Sequence, residues 1–132
     1  MSENKAPKKT SPVTRYRVMN ALDSGYENRQ SLQQLYYKTG LSFRTIREAI
    51  SDLRKYDGLP VISHSGTKGY WLPSYTSLQQ IKSSELHIRR ARQEAISRTI
   101  ELNHMIDTFD KALEDIGVRE SAERERIEKL HE

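Results

Sequence analysis

The sequence predicts a mainly α-helical chain that carries one small β-hairpin and ends in a long helix. Three observations predict it. Two short apolar-striped segments, each opened by a serine, are separated only by Gly40-Leu41. Two short runs rich in β-branched and aromatic residues lie between Leu59 and Leu72, with turn residues between them. From Ser77 to Ile116 there is neither proline nor glycine, while an apolar residue recurs at every seventh position.

The elements follow in order. Met1–Ser11 is polar and lysine-bearing, with nothing to bury, and is expected to be a disordered basic tail (residues 1–11) whose Lys5, Lys8 and Lys9 can touch phosphates. Ser11-Pro12 reads as an N-cap followed by proline at the first helical position, and Val13, Tyr16, Met19 and Leu22 supply an apolar stripe that Gly25 ends. A second helix opens at Ser31, where Ser31-Leu-Gln-Gln34 has the form of a capping box. It buries Leu32, Leu35 and Tyr36 and stops at Gly40. Ser42 caps a third, with Ile46, Ala49, Ile50 and Leu53 facing inward. Asp57-Gly58 breaks it. Leu59–His64 and Tyr70–Leu72 then read as two strands around the turn-rich tip Ser65–Gly69, and a helix-turn-helix followed directly by such a hairpin is a winged helix. Strand alternation gives Tyr70 and Leu72 to the core and turns Trp71 to the other face.

Beyond Pro73 one helix over 77–116 fits the pattern. Ile81, Ile88, Ala95, Leu102, Phe109 and Ile116 form the seven-residue repeat, joined three residues later by Ala91, Met105 and Ala112, with Ser84 and Arg98 as its polar exceptions. A helix of that length would expose a large apolar strip, so pairing of two copies into a homodimer is the expectation. Residues 117–132, after Gly117, read as a charged tail, frayed or disordered.

Composition narrows the function. The 132 residues suffice for one domain around a small core: 35% are hydrophobic and 30% charged. The absence of cysteine excludes a disulfide framework, thiolate zinc sites, iron–sulfur clusters and cysteine nucleophiles. With no run of the ~18–20 apolar residues that a membrane span needs, and no apolar stretch in Met1–Pro12 suggesting a secretory signal, a cytoplasmic protein is expected. Charge is unevenly spread. Residues 1–77 hold 12 Lys/Arg against 6 Asp/Glu, whereas residues 99–132 hold 5 against 10. A basic front with an acidic rear suggests a polyanion-binding module joined to something with another task.

Residues Val13–Pro73 resemble the winged helix-turn-helix domain of the biotin-operon-repressor type, found in bacterial and phage regulators. The likeness rests on Leu41-Ser42-Phe43-Arg44-Thr45-Ile46-Arg47, Leu53-Arg54, Gly58-Leu59-Pro60-Val61 and Gly69-Tyr70-Trp71-Leu72. In that family a ligand-sensing or enzymatic module usually follows. Here only a helical region does, an arrangement that also resembles small phage or prophage proteins. The resulting organisation is a DNA-binding domain over residues 12–76 and a dimerisation helix over 77–116.

With its apolar stripe inward, the third helix leaves Phe43, Arg44, Thr45, Arg47, Glu48 and Ser51 outward near its amino end, the part that enters a major groove. Arg44 and Arg47 can each offer two parallel donors to a guanine edge, Glu48 can accept from cytosine, and Thr45 can meet a phosphate or a thymine methyl. Ser42 with the helix amides is a phosphate anchor, Arg54 a backbone contact, and the hairpin tip adds Lys68, with His64 and Thr67. Gly66-Thr-Lys-Gly69 has the GXXG form of a KH loop but lies between expected strands, not helices. Glu101-x-x-His104 and Glu128-x-x-His131 have di-iron spacing, yet lack further glutamates placed to complete a site. The four histidines make no Ser/His/acid set, so no metal, cofactor or catalysis is expected.

The function expected is therefore sequence-specific binding of double-stranded DNA by a nucleoid-associated transcriptional regulator acting as a dimer. The alternatives are a protein-interaction adaptor and an accessory protein of phage replication or recombination.

Overall fold

A computed structural model describes residues 9–96 and 103–131 of the chain. It is mainly helical. α1 (Pro12–Ala21), α2 (Leu32–Thr39), α3 (Phe43–Lys55), α4 (Leu78–Ile96) and α5 (Asn103–Leu130) follow one another, with a single 3-10 turn at Tyr26–Asn28 between the first two. No helix among the described residues is long and apolar enough to cross a membrane.

Local chemistry sets the ends of the first three helices. The Ser11, Ser31 and Ser42 hydroxyls accept from the amides of Thr14, Gln34 and Thr45, each satisfying a donor that the helix cannot. At Ser31 the Gln34 side chain reaches back to the cap amide and completes the capping box. Gly40 closes α2 at φ 74°, a left-handed conformation that costs glycine little, and the chain turns directly into α3.

α1, α2 and α3 enclose one core of Val18, Ala21, Leu22, Leu35, Ile46, Ala49, Ile50, Leu53 and Val61. The stripe expected for α3 is buried as read. The face of α1 is buried only in part, through Met19 and Leu22. Val13 and Tyr16 are exposed, whereas Val18 and Arg15 are buried. Arg15 can lie inside because its stem packs while its guanidinium donates to Asp57 (2.8 Å) and to the Thr10 carbonyl. Tyr36, expected inside α2, is likewise exposed, and α1 ends at Ala21, before Gly25. Lys9 to Ser11 do not trail free. Buried Asp52 of α3 accepts from both the Lys9 and Thr10 amides (2.9 Å each) and from the Thr10 hydroxyl (2.6 Å). The rest of the expected basic tail, with Lys5 and Lys8, lies outside the described residues.

The segment expected as a β-hairpin forms isolated bridges instead of strands. Ile62 pairs antiparallel with Trp71, Tyr70 antiparallel with Gln30, and Leu72 parallel with Ser24. Gly69, at φ 110°, lets this happen: a Cβ there would sit 3.0 Å from the Gln30 carbonyl oxygen. Extended alternation still sorts the side chains. Val61, Tyr70 and Leu72 face the first core, whereas Ile62 and Trp71 face a second.

That second core is closed by α4 and α5, which are two antiparallel helices and not one. Arg92 pairs with Asp110, and ten residues back Lys82 pairs with Glu120, ten residues on (3.2 Å). The seven-residue seam is thereby satisfied within one chain. Ile81, Ile88, Ala95, Phe109 and Ile116 are buried together with Ala91, Met105 and Ala112, while Leu102 lies outside the described residues. Polar Ser84 fits the seam because its hydroxyl accepts from the Ser74 amide (2.9 Å) and donates to the Ser74 carbonyl (3.0 Å). The apolar strip that was expected to pair two copies is consumed by the hairpin. Gly117 does not interrupt α5, which runs on through the acidic region to Leu130. α5 also touches the back of α3, where the Thr108 hydroxyl donates to the Arg54 carbonyl (2.6 Å).

Candidate nucleic-acid interface

The side of α3 away from the core is the most exposed cationic surface to which the sequence pointed. Core residues 46, 49, 50 and 53 fix the rotation of the helix, leaving Ser42, Phe43, Arg44 and Arg47 exposed. Its first turn carries no acidic residue, so the partial positive charge of its free amides is not neutralised there. The Arg44 side chain is 86% exposed and meets Glu48 of the next turn at 3.3 Å. A surface pair of this kind contributes about 0–1 kcal/mol, so swinging Arg44 onto another acceptor costs little. Glu48, Thr45 and Ser51 are half-buried, and the Thr45 hydroxyl is 3.0 Å from that of Ser42.

The residues expected to join them from other elements divide. Lys68 is exposed, and its backbone is held in place: its carbonyl accepts from Arg29 Nε (3.1 Å), while the Arg29 guanidinium lies 4.1 Å over the Tyr26 ring. Thr67 sits half-buried beside it, its amide donating to the His64 carbonyl (3.0 Å). Arg54 is turned inward, donating to the Val61 carbonyl and to Ser63 Oγ (2.7 Å each), so it braces α3 against the bridge segment instead of facing outward. His64 is not at the surface at all. It is 7% exposed and packed against His87 of α4. In both cases the polar side chain finds its partner within the fold: Arg54 on the 61–63 segment and His64 on α4.

Two residues escaped the sequence reading. Tyr36 and Tyr37 were assigned to the core or passed over, yet they are 42% and 75% exposed. Their rings lie 5.6 Å apart, and Tyr36 meets the Phe43 ring edge-on at 6.0 Å. An aromatic patch therefore adjoins the amino end of α3. Tyr37 lies two positions from buried Leu35, about 200° around α2 and so on its outer side, and this was the available signal.

The arrangement can do two things chemically. Exposed guanidinium groups beside a capped helix end can meet phosphates and base edges, and the aromatic patch can take apolar contacts such as a thymine methyl. No group of three or more potential metal ligands occurs among the described residues. Comparison with protein-family models, with curated proteins and with solved structures gives no match.

Proposed function

We propose that this chain binds double-stranded DNA in a sequence-dependent way, with α2, Gly40-Leu41 and α3 as a helix-turn-helix and the 59–72 segment as a reduced wing. In this reading α3 enters the major groove by its amino end. Arg44 and Arg47 read guanine edges, Ser42 and the first-turn amides hold a phosphate, and Lys68 adds a backbone contact from the side. It is a binding protein and not a catalyst, serving as a regulator in a bacterial or phage nucleoid. The observation that carries it is the exposure of Arg44 and Arg47 on a helix whose opposite face is fully committed to the core. A dimer built on the seven-residue seam would have to open the α4–α5 hairpin, so one chain per site is the unit proposed.

The test is fluorescence anisotropy with a pool of random-sequence duplexes, followed by selection of the bound fraction. Arg44→Ala and Arg47→Ala should each weaken the selected duplex by about 1–3 kcal/mol, or roughly 5- to 150-fold, with an unchanged melting temperature. The affinity of the parent protein should also fall steeply with salt. Duplex binding that survives the double substitution would remove the proposal. A second reading, docking onto a partner protein, is favoured by the Tyr36–Tyr37–Phe43 patch. It predicts that Tyr37→Ala abolishes partner capture while the arginine substitutions leave it intact.

A further inference from the structure

Behind the bridge segment lies a cluster that the DNA reading does not use. His64, at the end of that segment, and His87, in the middle of α4, are 7% and 8% exposed. Their rings are nearly coplanar (18°) and meet edge to edge, with Nε2 of His64 2.9 Å from Nδ1 of His87. Tyr26 stacks on the face of His87 with ring centroids 4.6 Å apart, and Trp71 meets Tyr26, His64 and His87 edge-on. Seven residues along the same face of α4, Glu94 accepts from the amide and hydroxyl of Ser65. These two links tie the 63–68 loop to the helical hairpin.

We propose that the His64–His87 pair is an acid-sensitive latch that fastens the 63–68 loop to α4. A hydrogen bond between two imidazole nitrogens needs one donor and one bare lone pair. The neutral pair satisfies this, and so does the pair holding one extra proton. With two extra protons both facing nitrogens are donors, and the contact becomes repulsive. The surroundings resist that charge. Burial is the main effect pushing both imidazoles below their ordinary value of about 6.5. Arg90 opposes charge on either ring, and Arg29 and His64 oppose it on His87. Among the described residues Glu94 favours charge on His64, against the burial that opposes it. Arg54 and Lys68 line the same cleft as His64, and among the described residues α5 contributes the apolar Met105 and Phe109 to it. A loop freed from α4 takes up both protons near the ordinary value, whereas the packed pair refuses the second. Contact is therefore fully favourable above about pH 6.5 and is lost as the pH falls below it.

The latch rests on packing alone, so its test uses no DNA. Trp71 is the chain's one tryptophan and touches both rings, which makes it the reporter. Between pH 8 and 5 its emission should shift through a transition with its midpoint below 6.5. Amide exchange in residues 63–68, corrected for the intrinsic pH dependence, should quicken over the same range while helical circular dichroism stays constant. The double variant His64→Asn/His87→Gln should show neither change. Imidazole nitrogen NMR shifts of the unaltered protein give a measurement that needs no variant: both rings should titrate below the ordinary value in two steps. Rings that titrate together near 6.5 with no change in loop exchange would overturn the latch. So would an acid transition that persists in the double variant.

Discussion

The two cores of this chain are built from similar helices but end differently. Around Val18, Leu35 and Ile50, α1, α2 and α3 close one apolar interior and leave an outer face on which Arg44, Arg47, Tyr36 and Tyr37 have no apolar cover. Around Trp71, Ile88 and Phe109, α4 and α5 close the other. There the strip that invited a second copy is already occupied. The lesson is that an apolar stripe identifies a contact but not whose chain supplies it, whereas an exposed guanidinium opposite a finished core points outward whatever else is present. The bridge segment joins the two regions. Alternation sends Val61 one way and Ile62 the other, so neither core can be disturbed there without the second responding.

That coupling can be broken most severely at Trp71, which is 1% exposed and meets both histidines. Trp71→Ala should cost about 3–5 kcal/mol by urea unfolding followed through circular dichroism. Tyr37→Ala, on the uncovered face, should stay within about 0.5 kcal/mol of the parent. Equal costs at the two sites would erase the distinction between a filled and an open face. Ile88→Ala comes next, at about 2–5 kcal/mol. Because its partners are Phe109, Ala112 and neighbours of the same chain, the unfolding midpoint should be the same at 1 and 100 μM protein, about a hundredfold range over which a two-chain seam would raise it.

Local chemistry made much of the first region readable. The caps at Ser11, Ser31 and Ser42 and the stop at Gly40 depend on residues within a few positions, and the α3 stripe depends on one helical period. Arg44 and Arg47 were legible for the same reason. What failed needed partners distant in sequence. The inward turn of Arg15 requires Asp57, the burial of His64 requires His87, and the inward turn of Arg54 requires Val61 and Ser63. The reversal between α4 and α5 left no mark, because no proline or glycine lies between Ser77 and Ile116 and a seven-residue repeat serves an antiparallel pair in one chain as well as a pair of chains. The expected hairpin differs in another way: Tyr70–Leu72 is extended as read, but too few residues pair to make a ladder.

Two glycines sharpen the comparison at its finest grain. At both Gly40 and Gly117 an added Cβ would have no atom within 4 Å, so packing predicts no difference between them. Backbone conformation predicts opposite signs. Gly40 ends α2 in the left-handed region, and Gly40→Ala should destabilise by about 1–2 kcal/mol. Gly117 lies inside α5, where alanine forfeits less chain entropy on folding and forms helix more readily. Gly117→Ala should therefore stabilise by up to about 1 kcal/mol and raise the thermal midpoint. A destabilised Gly117→Ala protein would mean that α5 is not continuous through this residue in solution. The acidic end of the chain would then be a separate segment, and the second core would close at Ile116.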